Sequence, residues 1–367
     1  MRIVRGKRAA AGAAVVLGAM ALAACTTNNT ATEAPAGATT PAGGGTGAAG
    51  DLSGTLNGSG STFQLTFQQA AIQAFKSVQP HMTVNYSGVG SGTGRTNLAA
   101  GTTNFGGSDS PIPASEMANF HGKTVLYFPI LIGPISMSYN LPGVSDLKLT
   151  PDVIAQIFEG KITNWDNSAI ASINSGTHLP STPITLAVRS DSSGTTQNFT
   201  LFLQEAAGSL WTLGSNSTIK WPAAAHAGSG NGGVAQIIKS TPGAIGYVDY
   251  ADAKAAGLDF ASVKNADGNF IAPSTQGASL SAAGVDVASN LTFHAVWGKG
   301  AQAYPVTYQT WVLVYEDQPN ANAANMLKAY IGYLVGDGQQ LLEPLGYAPL
   351  PSSIDAKAKA QLDMIKG

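Results

Sequence analysis

Cysteine is almost absent from this chain of 367 residues, which contains only Cys25. A single cysteine excludes a disulfide framework and leaves little basis for thiol chemistry. Cys25 directly follows Leu22-Ala-Ala24, a short pattern of apolar and small residues that is typical of a cleavage site followed by lipidation. We therefore expect Cys25 to be the lipidated N-terminus of the mature chain.

Residues 1–24 have the organisation of a signal peptide. Basic residues open this segment, and an uncharged apolar run from Ala9 to Ala24 follows them. Residues 26–50 consist largely of Thr, Ala, Pro, Gly and Asn, with one charge at Glu33, so they cannot bury enough apolar surface to fold. We expect residues 25–51 to be a lipidated, flexible tether, which places the protein outside the cytoplasm and anchored to the bacterial cell membrane.

Basic residues are also scarce. The chain has 19 Lys and Arg against 21 Asp and Glu; four of the basic residues lie in the signal, which leaves 15 against 21 and a net charge of −6. A nucleic-acid surface needs a basic footprint, so this balance argues against nucleic acid as a partner. Any bound anion must then be held by local dipoles and one or two cations rather than by a global field.

Motifs for catalysis and metal binding are missing as well. No G-x-S-x-G nucleophile motif occurs, and the histidines are scattered without the spacing of metal ligands. We therefore expect no metal, no cofactor and no catalytic residues. The dinucleotide-like pattern Gly228-x-Gly-x-x-Gly233 has no apolar strand before it and is interpreted as a loop. The five histidines are His81, His121, His178, His226 and His294.

Strand-like and helix-like segments alternate along residues 51–367, a length sufficient for two domains of ordinary size. This alternation predicts an α/β fold with mostly parallel sheets. The predicted strands cover residues 52–57, 83–87, 124–132, 135–139, 184–188, 244–248 and 311–315. The predicted helices cover residues 63–78, 95–100, 151–159, 197–205, 321–334 and 354–365.

The segment from Arg189 to Thr196 (sequence RSDSSGTT) joins a predicted strand to a predicted helix. A helix N-terminus presents unpaired N–H groups and the positive end of the helix dipole, and Arg189 adds a fixed cation beside it. These features are typical of an anion site. Taken alone, the segment is equally consistent with an ordinary capped helix that carries a surface Arg–Asp pair.

Three further loops have the same small, hydroxyl-rich character and follow predicted strands. They are Gly58-Ser-Gly-Ser-Thr-Phe63, Gly88-Val-Gly-Ser-Gly-Thr-Gly94 and Phe105-Gly-Gly-Ser-Asp-Ser-Pro111. Each pattern alone is weak, because glycine-rich loops are common and mostly structural. Ligands of open α/β sheets lie at the carboxyl ends of strands, so four such loops in one chain favour a shared ligand site.

In this order, and followed by Pro242-Gly-Ala-Ile-Gly-Tyr-Val-Asp-Tyr250, the four loops resemble the phosphate-binding proteins of bacterial Pst-type ABC phosphate importers. The resemblance covers the chain from about Leu52 to the C-terminal helices. It implies a type II periplasmic-binding-protein fold, with lobe I formed by residues 52–130 and 306–367 and lobe II by residues 131–305. The two segments that cross between the lobes would lie near Pro129 and Val306. Inorganic phosphate would bind in the cleft, and the protein would act as a monomer whose partner is the ABC permease.

The resemblance also assigns the phosphate contacts. Arg189 would hold the phosphate oxygens while Asp191 orients its guanidinium, and Phe63 would offer its backbone N–H. Asp109 would accept the proton that phosphate still carries near neutral pH, which sulfate lacks, so that selectivity follows from a penalty against sulfate. The implied set is Thr62, Phe63, Ser91, Asp109, Arg189, Asp191, Ser193, Gly194 and Thr195.

Two positions depart from the family pattern. Gln64 stands where relatives commonly have proline, which predicts a looser start of the first helix, and Ser192 stands where glycine is frequent. Three alternatives stay open: a receptor for another oxyanion on the same fold, a secreted phosphate-handling enzyme, and a sensor or adhesin that uses the same site without a transporter.

Overall fold

The structure is a computed structural model that describes residues 52–367. The signal peptide, the lipidation of Cys25 and the tether are predictions that lie outside the described residues. Within residues 52–367, no helix has both the length and the apolar character needed to cross a membrane.

Eleven strands are formed within the described part of the chain, and most of the predicted ones are found within a few residues of their expected bounds. In chain order they are β1 (Gly54–Gly60), β2 (Met82–Gly88), β3 (Phe105–Ser108), β4 (Val125–Tyr139), β5 (Lys148–Leu149), β6 (Thr185–Arg189), β7 (His226–Gly228), β8 (Ala244–Asp249), β9 (Asp259–Lys264), β10 (Phe270–Ile271) and β11 (Thr307–Tyr315).

The strands form one connected sheet in the order β2-β1-β3-β11-β4-β8-β6-β7, while β9 pairs with β4, β5 and β10. At one end β1 runs parallel to β2 and β3, and at the other β6 runs parallel to β7 and β8. The central strands β3, β11, β4 and β8 are antiparallel. The expectation of mostly parallel sheets was wrong, because five of the ten pairings within residues 52–367 are antiparallel.

Strand β4 connects the two parallel regions. The sequence predicts two strands there, over residues 124–132 and 135–139, because both runs are apolar and rich in β-forming residues. The structure has one strand of 15 residues, which pairs with β11 up to Pro134 and with β8 from Ile135 onward. The strand accommodates its prolines where the ladder is interrupted: Pro129 lies at the register shift beside Trp311, and Pro134 lies at the exchange of partners from β11 to β8.

Eleven α-helices lie within the described residues, and several of them were not predicted. They are α1 (Leu65–Phe75), α2 (Ser91–Ala99), α3 (Pro151–Phe158), α4 (Ser168–Ala171), α5 (Gly194–Ala206), α6 (Gly230–Ser240), α7 (Tyr250–Ala256), α8 (Thr275–Ala282), α9 (Ala321–Leu334), α10 (Leu342–Leu345) and α11 (Ser352–Gln361).

Helix α2 begins at Ser91, four residues before the predicted start at Arg95. The sequence hides this first turn, because Gly92 and Gly94 are poor helix formers in isolation. Packing explains the glycines: a Cβ on Gly94 would lie 2.5 Å from Gly60 Cα, and one on Gly92 would lie 2.1 Å from Ser192 Oγ. Close approach of the helix to β1 and to the Arg189–Thr196 turn therefore requires glycine at both positions.

The interpretation of Gly228–Gly233 as a loop was wrong. Gly228 ends β7, and Gly230 opens α6 with a φ of +68°. The strand escaped prediction because it is three residues long and His226 and Ala227 are exposed, so no apolar run marks it. The segment is thus another strand-to-helix turn, placed beside the Arg189–Thr196 turn by the parallel pairing of β6 with β7.

The core lies between the sheet and the helices that cover it. In α5, the predicted apolar positions Phe199, Phe202 and Leu203 are buried, as their helical spacing indicated. Phe199 stacks on Tyr247 of β8 with ring centroids 4.5 Å apart. This packing fixes α5 against the sheet and so positions the N-terminus of the helix.

Candidate anion-binding site

The carboxyl ends of five strands supply the connections that form the site. Register places Gly60 of β1 beside both Gly88 of β2 and Gly107 of β3, so three loops leave the sheet at one level. In the other parallel region, Arg189 of β6 pairs with Gly228 of β7. Helices α1, α2, α5 and α6 begin within a few residues of these ends, and their N-termini carry unpaired N–H groups and partial positive charge.

Arg189 and Asp191 form the charged pair of the site. Arg189 Nε donates to Asp191 Oδ1 at 2.8 Å and Nη2 donates to Asp191 Oδ2 at 2.5 Å, a bidentate arrangement. Asp191 Oδ1 also accepts from the backbone N–H of Gly230 at the start of α6, at 3.0 Å. Burial raises the pKa of Asp191, but the hydrogen bonds and charge of Arg189 outweigh burial and leave this pKa below its ordinary value.

The remaining donor group of Arg189 points at the start of α5. Its Nη1 lies 3.3 Å from Thr195 Oγ1. Ser193 is the N-cap of this helix, and its hydroxyl oxygen accepts from the N–H of Thr196 at 3.1 Å. Ser193 and Thr195 are fully buried although both are polar. The guanidinium and the first turn of α5 thus converge on one small, enclosed region.

Gly194 places this turn directly against the loops of β2 and β3. A Cβ on Gly194 would lie 2.5 Å from Ser91 Oγ and 2.7 Å from Asp109 Oδ2. Only a residue without a side chain fits between them. Asn198, one turn further along α5, donates from Nδ2 to the backbone oxygen of Asp109 at 2.7 Å and to that of Gly194 at 2.9 Å. The structure therefore brings Ser91, Asp109 and the start of α5 into contact.

Asp109 is almost completely buried, and its two carboxylate oxygens have different surroundings. Oδ1 accepts a hydrogen bond of 2.7 Å from the hydroxyl of Thr310 in β11. Oδ2 has a longer contact, 3.3 Å, with the hydroxyl of Ser91, which also accepts from the backbone N–H of Asp109 at 3.2 Å. Gln309 Nε2 holds the Asp109 backbone oxygen at 3.2 Å.

Burial raises the pKa of the Asp109 carboxyl to about 6. Hydrogen bonds from Ser61, Thr310 and Ser91 and the positive charge of Arg189 oppose this increase. An anionic carboxylate that is buried costs free energy unless such donors surround it. Asp109 therefore changes charge near pH 6 and is mostly ionised at pH 7, whereas Asp191 has a lowered pKa and stays ionised.

Thr62 and Phe63 occupy the loop between β1 and α1. Thr62 Oγ1 accepts from Asn231 of α6, from Nδ2 at 3.1 Å and from the backbone nitrogen at 3.3 Å. The backbone N–H of Phe63, expected to face the ligand, donates to Ser61 Oγ at 3.0 Å. The Phe63 ring stacks on Tyr308 with centroids 3.8 Å apart. All nine residues of the predicted set thus lie at the converging loops.

The two departures from the family pattern have definite contacts. Gln64 is completely buried, and its amide nitrogen donates to Thr310 Oγ1 at 2.7 Å and to the Trp311 backbone oxygen at 3.2 Å, so it joins the start of α1 to β11. Ser192 donates to Ser217 Oγ at 3.0 Å, and its backbone oxygen accepts from Gly92 at 3.0 Å. The looser start of α1 that was expected at Gln64 is therefore not what its side-chain contacts indicate.

Sequence reasoning missed several residues at the site. Asn231 Nδ2 contacts Thr62 Oγ1 and, at 3.3 Å, Thr195 Oγ1, but it lies in the glycine motif that was assigned to a loop. Ser61 lies inside the first glycine-rich motif, where only its neighbours were selected. Thr310 precedes the predicted strand by one residue, and no local signal marks it as the partner of Asp109.

Two more buried polar groups lie close to these residues. The hydroxyl of Tyr308 is buried without a well-formed hydrogen bond, and burial raises its pKa well above the ordinary value. Asp249 is buried at the start of α7, and burial together with Asp252 raises its pKa well above the ordinary value, which favours its neutral form. Within residues 52–367, no cluster of three His, Cys, Asp or Glu side chains could hold a metal ion.

The fold and the site define a member of the PBP superfamily, whose domain model matches residues 29–338. Phosphate-binding protein PstS 3 of Mycobacterium leprae is 34% identical over 321 residues, which cover 85% of this chain and 87% of that protein. Phosphate-binding protein PstS of Pasteurella multocida is 33% identical over 313 residues, 84% of this chain and 89% of that protein. This chain belongs to the PstS family of phosphate-binding proteins.

Solved structures agree on the fold. A high-affinity periplasmic phosphate-binding protein, PfluDING, solved with phosphate, superposes with a TM-score of 0.70 at 22% identity and covers 84% of this chain and 94% of its own. A putative phosphate ABC transporter substrate-binding protein from Clostridium perfringens gives 0.60 at 18% identity, with coverage of 81% and 100%. The family resemblance and the periplasmic-binding-protein fold are confirmed, and the relatives are named as binding proteins, not enzymes.

Proposed function

We propose that this protein binds inorganic phosphate between the Arg189–Thr196 turn and the loops after β1, β2 and β3, and delivers it to an ABC importer. The observation that carries the proposal is the contact of Gly194 with both Ser91 and Asp109. It brings a helix N-terminus and a buried guanidinium to the same place as a buried carboxyl group whose pKa is raised to about 6. The names of the PstS relatives support the same ligand.

Donors in this region suit a tetrahedral oxyanion. Arg189 supplies a cation fixed by Asp191, and the start of α5 supplies backbone N–H groups of Gly194 and Thr195. Hydroxyl groups of Thr62, Ser91, Ser193 and Thr195 add donors that rotate to meet oxygen atoms. Phe63 contributes the end of the β1 loop, and its ring packing on Tyr308 fixes the start of α1.

Asp109 gives the site its choice of anion. Phosphate near neutral pH still carries a proton, and an ionised Asp109 accepts it in a short, charge-assisted hydrogen bond. Sulfate has no proton, so one of its oxygens faces the buried carboxylate without a hydrogen between them. Discrimination then comes from a penalty built into the site against the wrong anion.

The proposed lobes keep the bounds that the family resemblance implies. Lobe I comprises residues 52–130 and 306–367, and lobe II comprises residues 131–305. The exchange of partners by β4 between Pro134 and Ile135 supports a first crossing within this strand, and β11 begins at Thr307, next to the second. Closure of such a hinge around phosphate would bury the anion and complete its hydrogen bonds.

The predicted signal peptide, lipidated Cys25 and tether support a location outside the cytoplasm, anchored to the membrane beside the permease. We also propose that the protein acts as a monomer. Calorimetric titration with phosphate, followed by a crystal structure of the complex, tests the binding proposal. We expect saturable binding at one site and tetrahedral density in contact with Arg189 and Asp109. Tetrahedral density elsewhere, or no heat of binding, would overturn the proposal.

A further inference from the structure

A buried row of four hydrogen bonds ends on Asp109. Tyr330 Oη of α9 donates to Gln68 Oε1 at 2.5 Å, and Gln68 Nε2 donates to Gln64 Oε1 at 2.8 Å. Gln64 Nε2 then donates to Thr310 Oγ1 at 2.7 Å, and Thr310 Oγ1 donates to Asp109 Oδ1 at 2.7 Å. All five side chains are buried, so water does not compete for these bonds. Side chains of α1, α9 and β11 are thus connected to the carboxyl group of Asp109.

The direction of this row is fixed by a backbone carbonyl. Gln64 Nε2 also lies 3.2 Å from the carbonyl oxygen of Trp311, which can only accept, so the amide nitrogen of Gln64 must face β11. Its oxygen then faces Gln68, whose amide nitrogen donates to it. An amide nitrogen cannot accept a hydrogen bond, so Thr310 receives a donor from Gln64 and keeps its own proton for another acceptor.

That acceptor is Asp109 Oδ1. The alternative acceptor, the backbone oxygen of Ser108, lies 3.3 Å from Thr310 Oγ1, compared with 2.7 Å for Asp109 Oδ1. Oδ1 is therefore occupied by a short hydrogen bond from within the protein. Oδ2 has the longer contact, 3.3 Å, with the hydroxyl of Ser91 and lies beside Gly194. Ser61 also donates a hydrogen bond to this carboxyl group.

We propose that Gln64 and Thr310 are positioning residues that hold Asp109 with Oδ1 occupied and Oδ2 presented to the bound anion, and that this arrangement sets the discrimination between phosphate and sulfate. The inference rests on the proposed function, because it assigns the exchange of the phosphate proton to one oxygen of Asp109. It gives Gln64 a role in selectivity through Thr310, at a position where the family pattern has proline.

Other titratable groups face Asp109 as well. Arg189 of β6 favours the ionised carboxylate, and Tyr86 of β2, Tyr308 of β11 and Tyr347 interact with its charge. Burial raises the pKa of each of these tyrosines well above its ordinary value, so they stay neutral near pH 7. Asp249 and Asp252 also lie near Arg189 and have raised pKa values. Phosphate itself changes protonation near neutral pH, so the effect of Asp109 is read from sulfate binding and from the difference between each variant and the wild-type protein at the same pH.

Thr310→Val tests the last bond of the row. The valine has nearly the same shape but no hydroxyl, so Asp109 loses a donor that favours its ionised form and becomes protonated at higher pH. A neutral Asp109 donates to sulfate. Calorimetry from pH 5.5 to 8.5 measures the affinities for both anions. We expect the phosphate-to-sulfate affinity ratio at pH 7 to fall at least about tenfold. The pH at which sulfate binding disappears should rise by about one unit, the usual size of such a pKa shift. Thr310→Ser should restore the wild-type ratio.

Gln64→Met tests the bond before it. Without the Gln64 amide, Thr310 is free to turn its hydroxyl proton toward Ser108, so the affinity ratio should fall in the same direction as in Thr310→Val. The double variant Gln64→Met/Thr310→Val should show no further fall, because residues that act through one row are not additive. Gln361→Met is the matched control, since Gln361 is a buried glutamine that bonds the backbone oxygen of Tyr127.

The outcomes separate this inference from the proposed function. If the wild-type protein does not bind phosphate, the proposed function fails. If it binds phosphate selectively and the ratio is unchanged in folded Gln64→Met, or falls equally in Gln361→Met, the positioning role of Gln64 is wrong. Additive falls in the double variant, or no recovery in Thr310→Ser, would overturn the row as a unit.

Discussion

Gly194 and Asp109 are packed so closely that a Cβ on Gly194 would lie 2.6 Å from Asp109 Cβ and 2.7 Å from its Oδ2. Gly194 is the first residue of α5, and Asp109 follows β3 at the other end of the sheet's antiparallel centre. The pair therefore joins the cationic, helix-terminal part of the site to the carboxyl group that would select the anion. The tests of the account start from this contact.

Gly194→Ala should displace Asp109 and Ser91, because the new methyl group would stand within 2.7 Å of both. We expect phosphate affinity to fall at least about tenfold, the effect of roughly 1.4 kcal/mol. Gly232→Ala in α6 is the matched control, since a Cβ there meets nothing within 4 Å. Calorimetric titration of both variants decides: equal affinities for phosphate would mean that the ligand does not lie at this contact.

Arg189→Ala should weaken phosphate binding by roughly 2–5 kcal/mol, the usual range when one side of a buried charged contact is removed. The variant also leaves Asp191 without its bidentate partner. Calorimetry measures the affinity, and circular dichroism checks that the variant is folded. A loss below about tenfold would place Arg189 outside the site.

Ser193→Ala should lower both stability and phosphate affinity, whereas removal of a comparable N-cap elsewhere should lower stability alone. Removal of a serine N-cap costs about 1 kcal/mol of stability. Ser274 caps α8 in the same way, by accepting from Gly277 at 3.0 Å, so Ser274→Ala should lose a similar free energy of unfolding. Urea denaturation and phosphate titration of both variants separate the roles: only Ser193→Ala should also lose phosphate affinity. Equal phosphate affinity in the two would make Ser193 a cap alone.

The raised pKa of Asp109 predicts a pH dependence of stability in phosphate-free buffer. Burial raises this pKa from 3.8 to about 6, so the folded state binds the proton more tightly than the unfolded state does. The stabilisation from this proton is present below the unfolded pKa and is lost as pH rises through the folded pKa of about 6. Each unit of difference between the two pKa values is worth about 1.36 kcal/mol, so the total loss is at most about 3 kcal/mol.

Asp109→Asn removes this titration, so the two proteins are compared by urea denaturation at pH values from 4 to 7. The free energy of unfolding of the wild-type protein should decline relative to that of the variant across this range. Other groups, including Asp249, titrate in both proteins and cancel in the difference. A difference that stays constant with pH would show that Asp109 is ionised throughout.

The strand-to-helix turn of the site could be predicted from local sequence patterns. Arg189, Asp191 and Ser193 lie in a strand-to-helix turn because an apolar run precedes them and helical spacing follows. A short strand without an apolar run could not be predicted, so β7 and the start of α6 were assigned to a loop. Asn231 lies in that segment and was therefore not selected as a site residue. The first turn of α2 escaped because its glycines are required by packing and disfavour a helix locally.

The partners of Asp109 could not be predicted, because they come from distant parts of the chain. Thr310 lies 201 positions away, and its approach depends on the register of β11 with β3 and β4. Gln64 was expected to loosen α1, but its side chain is bonded to β11 instead. Such contacts arise from the assembled sheet and leave no periodic signal in the sequence.

The central claim is that Asp109 selects phosphate by accepting its proton. The most direct measurement is calorimetric titration of the wild-type protein and Asp109→Asn with phosphate and with sulfate at pH 7 and pH 8.5. The wild-type protein should prefer phosphate by at least about thirtyfold, the lower end of the roughly 2–5 kcal/mol that an unpaired buried charge costs. In Asp109→Asn this preference should largely disappear, because asparagine can donate to sulfate. Equal affinity of the wild-type protein for both anions, or an unchanged preference in Asp109→Asn, would contradict the account.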